Sequence, residues 1–379
     1  LGALCILFKK FIFNGLKQQP HAIIFLNQTL RSRAAMELYL TPVDVANVLG
    51  ITVQGLHKLC KDNGIETQQK GQRQHRIYPA TLDRIISLRG GLKKKKRYFC
   101  HHNVKGGVGK TLLAHGLSTR ASTYAHKSLV IDLDKQANAT NSLGINDDHK
   151  DVVTMKDLFD KRMAGEVYDW HDALFEITPY LHVLPSNLGL AELDLALVNS
   201  GADVGKIFSR LLSGAKDEYD AIFVDLAGEF NRVSFAAHAF TGCALIPVNT
   251  EGFSVKGLKL MKKHIDFVKQ EYESEGDYKV VINKFDQRTN LSFEMLSDLN
   301  MVFSKDHLCK EVIPNSNALV KALTSGDSIW SVPRTKAPAL DSIDKLLIEL
   351  FEIDSWKTQL GSKAKKGTAS VMEAVTHGY

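Results

Sequence analysis

Apolar positions along the chain follow two different rhythms. Between Thr41 and Leu88 they recur every three or four residues. Val43, Val45, Ala46, Val48 and Leu49 follow Thr41-Pro42 and stop at Gly50. Thr41 suits an N-cap, Pro42 a first helical position and Gly50 a helix stop, so a short helix is predicted there. Thr52 then caps a second helix carrying Val53, Leu56 and Leu59, which ends near Asn63-Gly64. Leu82, Ile85, Ile86 and Leu88 predict a third helix over 81–88. From residue 98 the rhythm changes. Continuous apolar runs appear at Tyr98-Phe99-Cys100, 128–133, 219–224, 244–248 and 278–282, with helix-compatible stretches between them. Such runs read as strands buried on both faces. The predicted fold class is therefore α/β: a mostly parallel sheet with helices on both faces, preceded by a small helical winged helix-turn-helix domain.

Breaks in the pattern divide the chain. Residues 1–35 lack periodicity and precede Met36. They are read as a poorly defined N-terminal extension, upstream of a natural start. A helix-turn-helix domain is expected over 36–92, a basic linker over 93–97 and a nucleotide domain over 98–360. A flexible basic tail is expected over 361–379. Gly90-Gly91 and the run Lys93-Lys94-Lys95-Lys96-Arg97 mark the main boundary. Composition changes this picture little. A length of 379 residues suits two or three domains, and 44% apolar with 24% charged residues suits a folded core. Five cysteines without any C-x-x-C pair argue against a local zinc or iron–sulfur motif and fit a reducing cytoplasm. No apolar run reaches the roughly 18 residues of a membrane span, so no transmembrane helix is expected, and the tail after 360 lacks the amphipathic pattern of a membrane-binding helix, so no membrane partner is expected. The net charge of +6 permits nucleic-acid binding.

Chemistry concentrates at Asn103-Val104-Lys105-Gly106-Gly107-Val108-Gly109-Lys110-Thr111, which lies between a predicted strand and a helix-compatible run. Strand, glycine-rich loop and helix form a phosphate cradle: backbone N–H groups turn inward, and the helix N-terminus adds positive charge. Gly106, Gly107, Val108, Gly109, Lys110, Thr111 and Leu112 are the expected nucleotide-binding residues. Lys110 would reach the β- and γ-phosphates, and Thr111 would ligate Mg²⁺. The strict P-loop pattern has Gly where this chain has Val104. Ligands in open α/β sheets gather at the carboxyl ends of strands. Asp132 and Asp134 end one such run and would face phosphate and metal. Asp225 ends another, in the Walker-B arrangement, and would hold Mg²⁺. Gly228 would let backbone approach phosphate, Asn138–Asn141 would sense the γ-phosphate, and Asn283 could meet a base edge.

In the N-terminal region, Gln54, His57, Lys58 and Lys61 fall on the exposed side of the second helix. Gln and Lys there can meet bases or phosphates in a major groove. The segment 70–78, with Arg73 and Arg76, reads as a basic wing. Gln54, His57, Lys58, Arg73 and Arg76 are the expected DNA contacts. A helical hairpin for protein contacts is the plainer reading.

Asn-x-Lys-Gly-Gly-Val-Gly-Lys-Thr followed by Val130-Ile131-Asp132-Leu133-Asp134-x-Gln136-x-Asn138-Ala139-Thr140 resembles the ParA family of DNA-partition ATPases. Further matches are Leu184-Pro185-Ser186-Asn187-Leu188, the 219–225 run, Ile246-Pro247-Val248, Phe285-Asp286-x-Arg288-Thr289 and Val312-Ile313-Pro314. The resemblance spans about 97–350, and the preceding helix-turn-helix resembles the larger plasmid-type members. It implies an ATPase using ATP and Mg²⁺ that closes as a homodimer around two nucleotides. Lys105 would be the signature lysine reaching the partner's ATP. Asp134 would position the attacking water, and Asn283 and Pro314 would line the adenine pocket. It also implies a ParB-type partner, non-specific DNA binding by the ATP dimer, operator binding with autorepression, and nucleoid-associated work in the cytoplasm. Lys321, Arg334 and Lys336 are substitutes for the family's usual DNA-binding loop. The chain departs from the family at Leu112, where a second Thr is usual, and at Lys135, Ala137 and Ala227-Gly228. A nucleotide-switched transcriptional regulator with negligible turnover is the alternative.

Overall fold

The computed structural model describes residues 36–70, 74–148, 152–249, 255–272, 274–286, 288–289, 294–299, 303–304 and 306–361. The expected extension over 1–35 and all but the first residue of the tail over 361–379 lie outside them.

The N-terminal helices are α1 (Pro42–Leu49) and α2 (Val53–Asp62). Thr41 caps α1 in a reciprocal box with Asp44, and Gly50 ends it at φ 65° in the left-handed region. Thr52 Oγ1 accepts from Gly55 N at 3.0 Å and starts α2. Strands β1 (Gln68–Lys70) and β2 (Gln74–Arg76) pair antiparallel, and α3 (Pro79–Leu88) follows. Helix α3 begins two residues before the predicted start, because Pro79 serves as a first helical position.

The larger part contains β3 (Arg97–His101), α4 (Lys110–Thr123), β4 (Ser128–Leu133), α5 (Asn138–Ser142), β5 (Phe175–Thr178) and β6 (Leu181–Leu184). It continues through β7 (Ala221–Leu226), α6 (Arg232–Thr241), β8 (Cys243–Val248), α7 (Val255–Tyr272) and β9 (Asp277–Phe285). Strand β10 (Leu308–Pro314), α8 (Asn317–Thr324) and α9 (Ala339–Phe351) follow. The sheet order is β10-β9-β8-β3-β7-β4-β6-β5, parallel throughout except for the antiparallel edge pair β5/β6. Alternate residues of one strand serve opposite faces. Cys100, Ile222 and Val224 join the core under α6 and α7, while Phe99, Ala221 and Phe223 join the core under α4 and α9. Both faces being covered, the central strands carry continuous apolar runs such as Leu129-Val130-Ile131 and Ala221-Ile222-Phe223-Val224.

The N-terminal helices and the sheet domain share one core. Leu40, Val45, Leu49, Leu56 and Ile85 pack in the same cluster as Leu113, Leu117, Phe351 and Trp356. The run 93–97 is accordingly not a free solvated linker. Lys94 Nζ donates to Asp83 Oδ1 at 2.7 Å and to Ala125 O. Lys96 Nζ donates to the carbonyls of Lys216 and Asp217 at 2.7 and 2.8 Å. Arg97 reaches Leu350 O at 2.9 Å and Glu352. Deep in the shared region, Arg120 of α4 forks onto Asp344 of α9 at 2.6 and 2.9 Å and approaches Asp44 of α1 at 3.6 Å. Among the described residues, no helix is long and apolar enough to cross a membrane.

Candidate functional site: a phosphate cradle at the strand ends

Strand β3 delivers the chain to the loop at His102, and α4 takes it up at Lys110. Asn103 fixes the loop at its base. Its Nδ2 donates to Pro247 O on β8 at 2.8 Å, and its Oδ1 accepts from Lys105 N at 3.0 Å. Gly107 and Gly109 have φ of 72° and 95°, conformations that only glycine adopts without strain. A Cβ on Gly109 would also lie 2.1 Å from Asn283 Nδ2. Gly228 permits a second close approach, since a Cβ there would lie 2.8 Å from Val104 O. Thus the loop after β7 sits directly on the cradle.

Lys110 spans the loop, its Nζ donating to Asn103 O at 3.0 Å and Lys105 O at 3.4 Å. Burial lowers its pKa, and Asp225 and Asp134 oppose that shift. Thr111 Oγ1 donates to Asp225 Oδ2 at 2.7 Å. Asp225 is fully buried, and its Oδ1 has no hydrogen-bond partner among the described residues. Burial pushes its pKa well above the usual carboxylate range, with neighbouring Asp132 adding to the rise. A hydroxyl, a buried carboxylate and an unused carboxylate oxygen beside a phosphate loop fit a hard divalent cation such as Mg²⁺.

A cavity of about 1150 Å³ opens over the loop. Its wall includes Val104, Gly106 through Leu112, and Asp134. Asn138 and Asn141 from α5 line it as well. Asp134 Oδ1 accepts from Gln136 N at 2.9 Å, which holds the turn after β4.

Several expected residues take other positions. Asp132 does not line the cavity. Its Oδ2 accepts from Thr140 N and Oγ1, each at 2.8 Å, and its Oδ1 from Asp134 N at 3.0 Å. Both oxygens are committed to the β4–α5 turn, and burial pushes its pKa up to about 6. It therefore builds the site and is not placed as a metal ligand. Asn283 lies behind the loop, 1% exposed, with Nδ2 donating to Val108 O at 2.8 Å. It braces the cradle, and neither Asn283 nor Pro314 lines the cavity. Lys105 is also absent from the wall, although its neighbours Val104 and Gly106 belong to it.

Sequence reasoning missed Glu229, Lys284 and the end of α8. Glu229 and Lys284 line the cavity, as do Val320, Leu323, Thr324, Ser325 and Gly326. Glu229 follows the recognised Gly228, and Lys284 follows Asn283, so both stood one residue from a noted position. Helix α8 gave no local signal, because its place over the cavity depends on long-range packing.

On α2, Gln54, His57 and Lys58 are exposed, as expected. Arg73 lies outside the described residues. Arg76 is a correction: it is 7% exposed, pairs with Glu37 and stands 4.2 Å over the Tyr39 ring. It belongs to the interior of the module, where a partner 39 residues earlier neutralises it. Lys321 and Lys336 are exposed, while Arg334 pairs with Asp341.

A family model described as an AAA domain matches residues 96–277. The chromosome partitioning protein ParA of Myxococcus xanthus is 28% identical over 237 residues, 62% of this chain and 80% of that protein. The sporulation initiation inhibitor protein Soj of Bacillus subtilis is 28% identical over 234 residues, 60% of this chain and 87% of that protein. Among solved structures, an ATP complex of Cyanothece McdA superposes with a TM-score of 0.58 at 19% identity. That match covers 68% of this chain and 97% of the other, and it shows the shared fold. Over about three-fifths of its length the chain is thus similar in sequence to the ParA and Soj proteins, and that stretch holds the glycine loop, Lys110, Thr111 and the Asp225 that Thr111 contacts.

Proposed function

We propose that this protein is a partition ATPase that couples ATP hydrolysis to the movement or retention of plasmid or chromosomal DNA. The observation that carries the reading is the 2.7 Å contact of Thr111 with Asp225 beneath the glycine loop. It brings the two residue types that hold nucleotide-bound Mg²⁺ together where the phosphates would lie. Mg²⁺ there would neutralise charge on the phosphate oxygens. This chain's residues supply the rest. Loop N–H groups and Lys110 hold the β- and γ-phosphates, and Asp134, in the cavity wall, orients the attacking water. Catalysis is then positioning and charge stabilisation of an in-line displacement. Lys105, outside its own cavity wall, acts in trans on the nucleotide of a second copy. ATP thereby closes a homodimer, and a ParB-type partner stimulates hydrolysis and reopens it.

The N-terminal module contacts an operator through Gln54, His57 and Lys58 of α2 and represses the protein's own operon. Non-specific DNA meets the ATP dimer, with Lys321 and Lys336 as exposed contacts. The test is phosphate release by the full chain with ATP and Mg²⁺, with and without DNA, beside Lys110→Ala and Lys105→Ala. Lys110→Ala is expected to lose nucleotide binding. Lys105→Ala is expected to keep it but to sediment as a monomer with ATP. Retained ATP affinity in Lys110→Ala would refute the site.

The second reading, a nucleotide-switched transcriptional regulator, draws support from the core that the N-terminal module shares with α4. Operator affinity that changes with ATP while phosphate release stays at background would favour it.

A further inference from the structure

Three buried histidines converge on the sheet face covered by α6 and α7. His102 follows β3 and directly precedes Asn103, His238 lies on α6 and His264 on α7. They are 0%, 4% and 6% exposed. One ring nitrogen from each lies within 4.8 Å of the others. His102 Nδ1 and His238 Nε2 are 2.9 Å apart. His264 Nε2 has no hydrogen-bond partner among the described residues. Phe235 stacks on His264 at 4.5 Å and 11°, and Phe230 meets His102 edge-on at 5.4 Å. The cluster is thus closed by aromatic rings, away from the cavity wall formed by the loop.

Aromatic packing accounts for three flat rings but not for their convergent nitrogens. A buried imidazole nitrogen normally finds a donor or acceptor. Here the rings turn nitrogens toward one another from three separate elements. We propose that His102, His238 and His264 form a site for one divalent transition metal of the zinc class. Imidazole suits Zn²⁺, Ni²⁺ or Cu²⁺, whereas Mg²⁺ takes oxygen ligands, so this site and the Thr111–Asp225 pair select different ions. Tetrahedral zinc with Zn–N near 2.0–2.1 Å sets its donors about 3.4 Å apart. The spacings of 2.9 Å and up to 4.8 Å bracket that value, within reach of small ring rotations. Water would complete the coordination. The bound ion would tie α6 and α7 to the residue before Asn103, and Asn103 sets the loop through Pro247 O and accepts from Lys110. The site is therefore a metal staple at the root of the phosphate cradle.

The test uses the full chain, stripped with a chelator and titrated without nucleotide. Zn²⁺ is followed by calorimetry and Co²⁺ by visible absorption. One Zn²⁺ per chain, a raised thermal midpoint and the intense Co²⁺ bands of four-coordinate imidazole ligation are expected. His264→Phe, which keeps an aromatic ring against Phe235, and His238→Gln should each weaken Zn²⁺ by more than the roughly 100-fold that loss of an outer-shell partner can bring. Asp225→Asn should leave the zinc stoichiometry unchanged. Absence of stoichiometric Zn²⁺ binding by the wild-type chain overturns the proposal. So does binding by His264→Phe and His238→Gln as tight as wild type, or loss of zinc in a folded Asp225→Asn. If the histidine variants do not fold, the wild-type Co²⁺ spectrum decides: weak octahedral bands overturn the site.

Discussion

Gly109→Ala is the sharpest perturbation of the cradle. Two effects act together. The residue sits at φ 95°, and an L-residue held in such a conformation costs about 1–3 kcal/mol. The new methyl would start 2.1 Å from Asn283 Nδ2, so the amide has to leave. Its departure breaks the 2.8 Å bond to Val108 O, a loss of about 1–3 kcal/mol for a buried group left unpaired. The sum is roughly 2–6 kcal/mol, concentrated on the loop conformation that receives phosphate. At about 1.4 kcal/mol per tenfold, ATP affinity should fall at least about 25-fold.

The assay is equilibrium titration with a fluorescent ATP analogue, with thermal unfolding alongside to show that the fold persists. The double variant Gly109→Ala/Asn283→Ala separates the two terms. It removes the collision and leaves the backbone term, so the two changes should be less than additive. Asn283→Ala alone should loosen the loop and weaken ATP modestly. Gly109→Ala that binds ATP within twofold of wild type would refute the reasoning. Strict additivity in the double variant would show that Asn283 does not meet the loop at Gly109.

Other predictions concern stability and coupling. His126 is fully buried between Phe351 and Trp356, and burial lowers its pKa to about 3. Its unfolded value is near 6.5, so the unfolded chain binds the extra proton and stability falls as pH drops from 6.5 toward 3. By pH 5 that loss is about 2 kcal/mol, and His126→Phe should flatten the stability–pH curve in urea unfolding. Asp344→Ala leaves Arg120 buried without its fork partner and should cost about 3–5 kcal/mol by the same measurement. Arg76→Ala should destabilise the chain by about 1–3 kcal/mol through lost packing on Tyr39 and Glu37. Lys58→Ala should leave stability unchanged and weaken operator binding; the reverse pattern in gel-shift and unfolding assays would count against the assignment of these two cations. Asp44→Asn preserves a side-chain oxygen for the cap of α1 but loses the charge facing Arg120, and it should reduce the effect of ATP on operator affinity. An unchanged ratio of affinities with and without ATP would remove Arg120 from that route.

The features legible in the sequence are those fixed by local rules. Continuous apolar runs marked β4, β7, β8 and β9 because both faces of each strand are covered. Lys110, Thr111 and Asp225 stood out because a phosphate loop and a strand-end carboxylate occupy fixed places in an α/β sheet. Asp132 follows the same strand-end rule, but its oxygens meet the protein's own backbone and Thr140. It lies opposite Asp225 in the β4–β7 register, but the β4–α5 turn claims both its oxygens. Arg76 looked like a wing residue because a basic strand pattern does not reveal Glu37. Helix α4 was legible only in part: it is buried all round and carries His115, Thr119 and Arg120 inside. Distant residues meet its polar side chains, Ser142 at His115, Trp330 at Thr119 and Asp344 at Arg120. The three histidines were invisible for the same reason, coming from three elements far apart in the chain.

The same dependence on distant partners gives α4 its importance. Its first residue, Lys110, belongs to the phosphate loop. Two to three turns later, Arg120 reaches Asp344 of α9 and Asp44 in the first turn of α1. One rigid element thus runs from the cradle to the N-terminal module. The intervening helix is packed on every side, so a displacement at its start has no soft core to absorb it. The basic run 93–97, anchored at Asp83, Lys216, Asp217 and Glu352, removes the slack that a free linker would give. A chain divided by composition into two domains therefore shares one packed core, and the Asp44→Asn test asks whether occupancy of the loop reaches α2 through it.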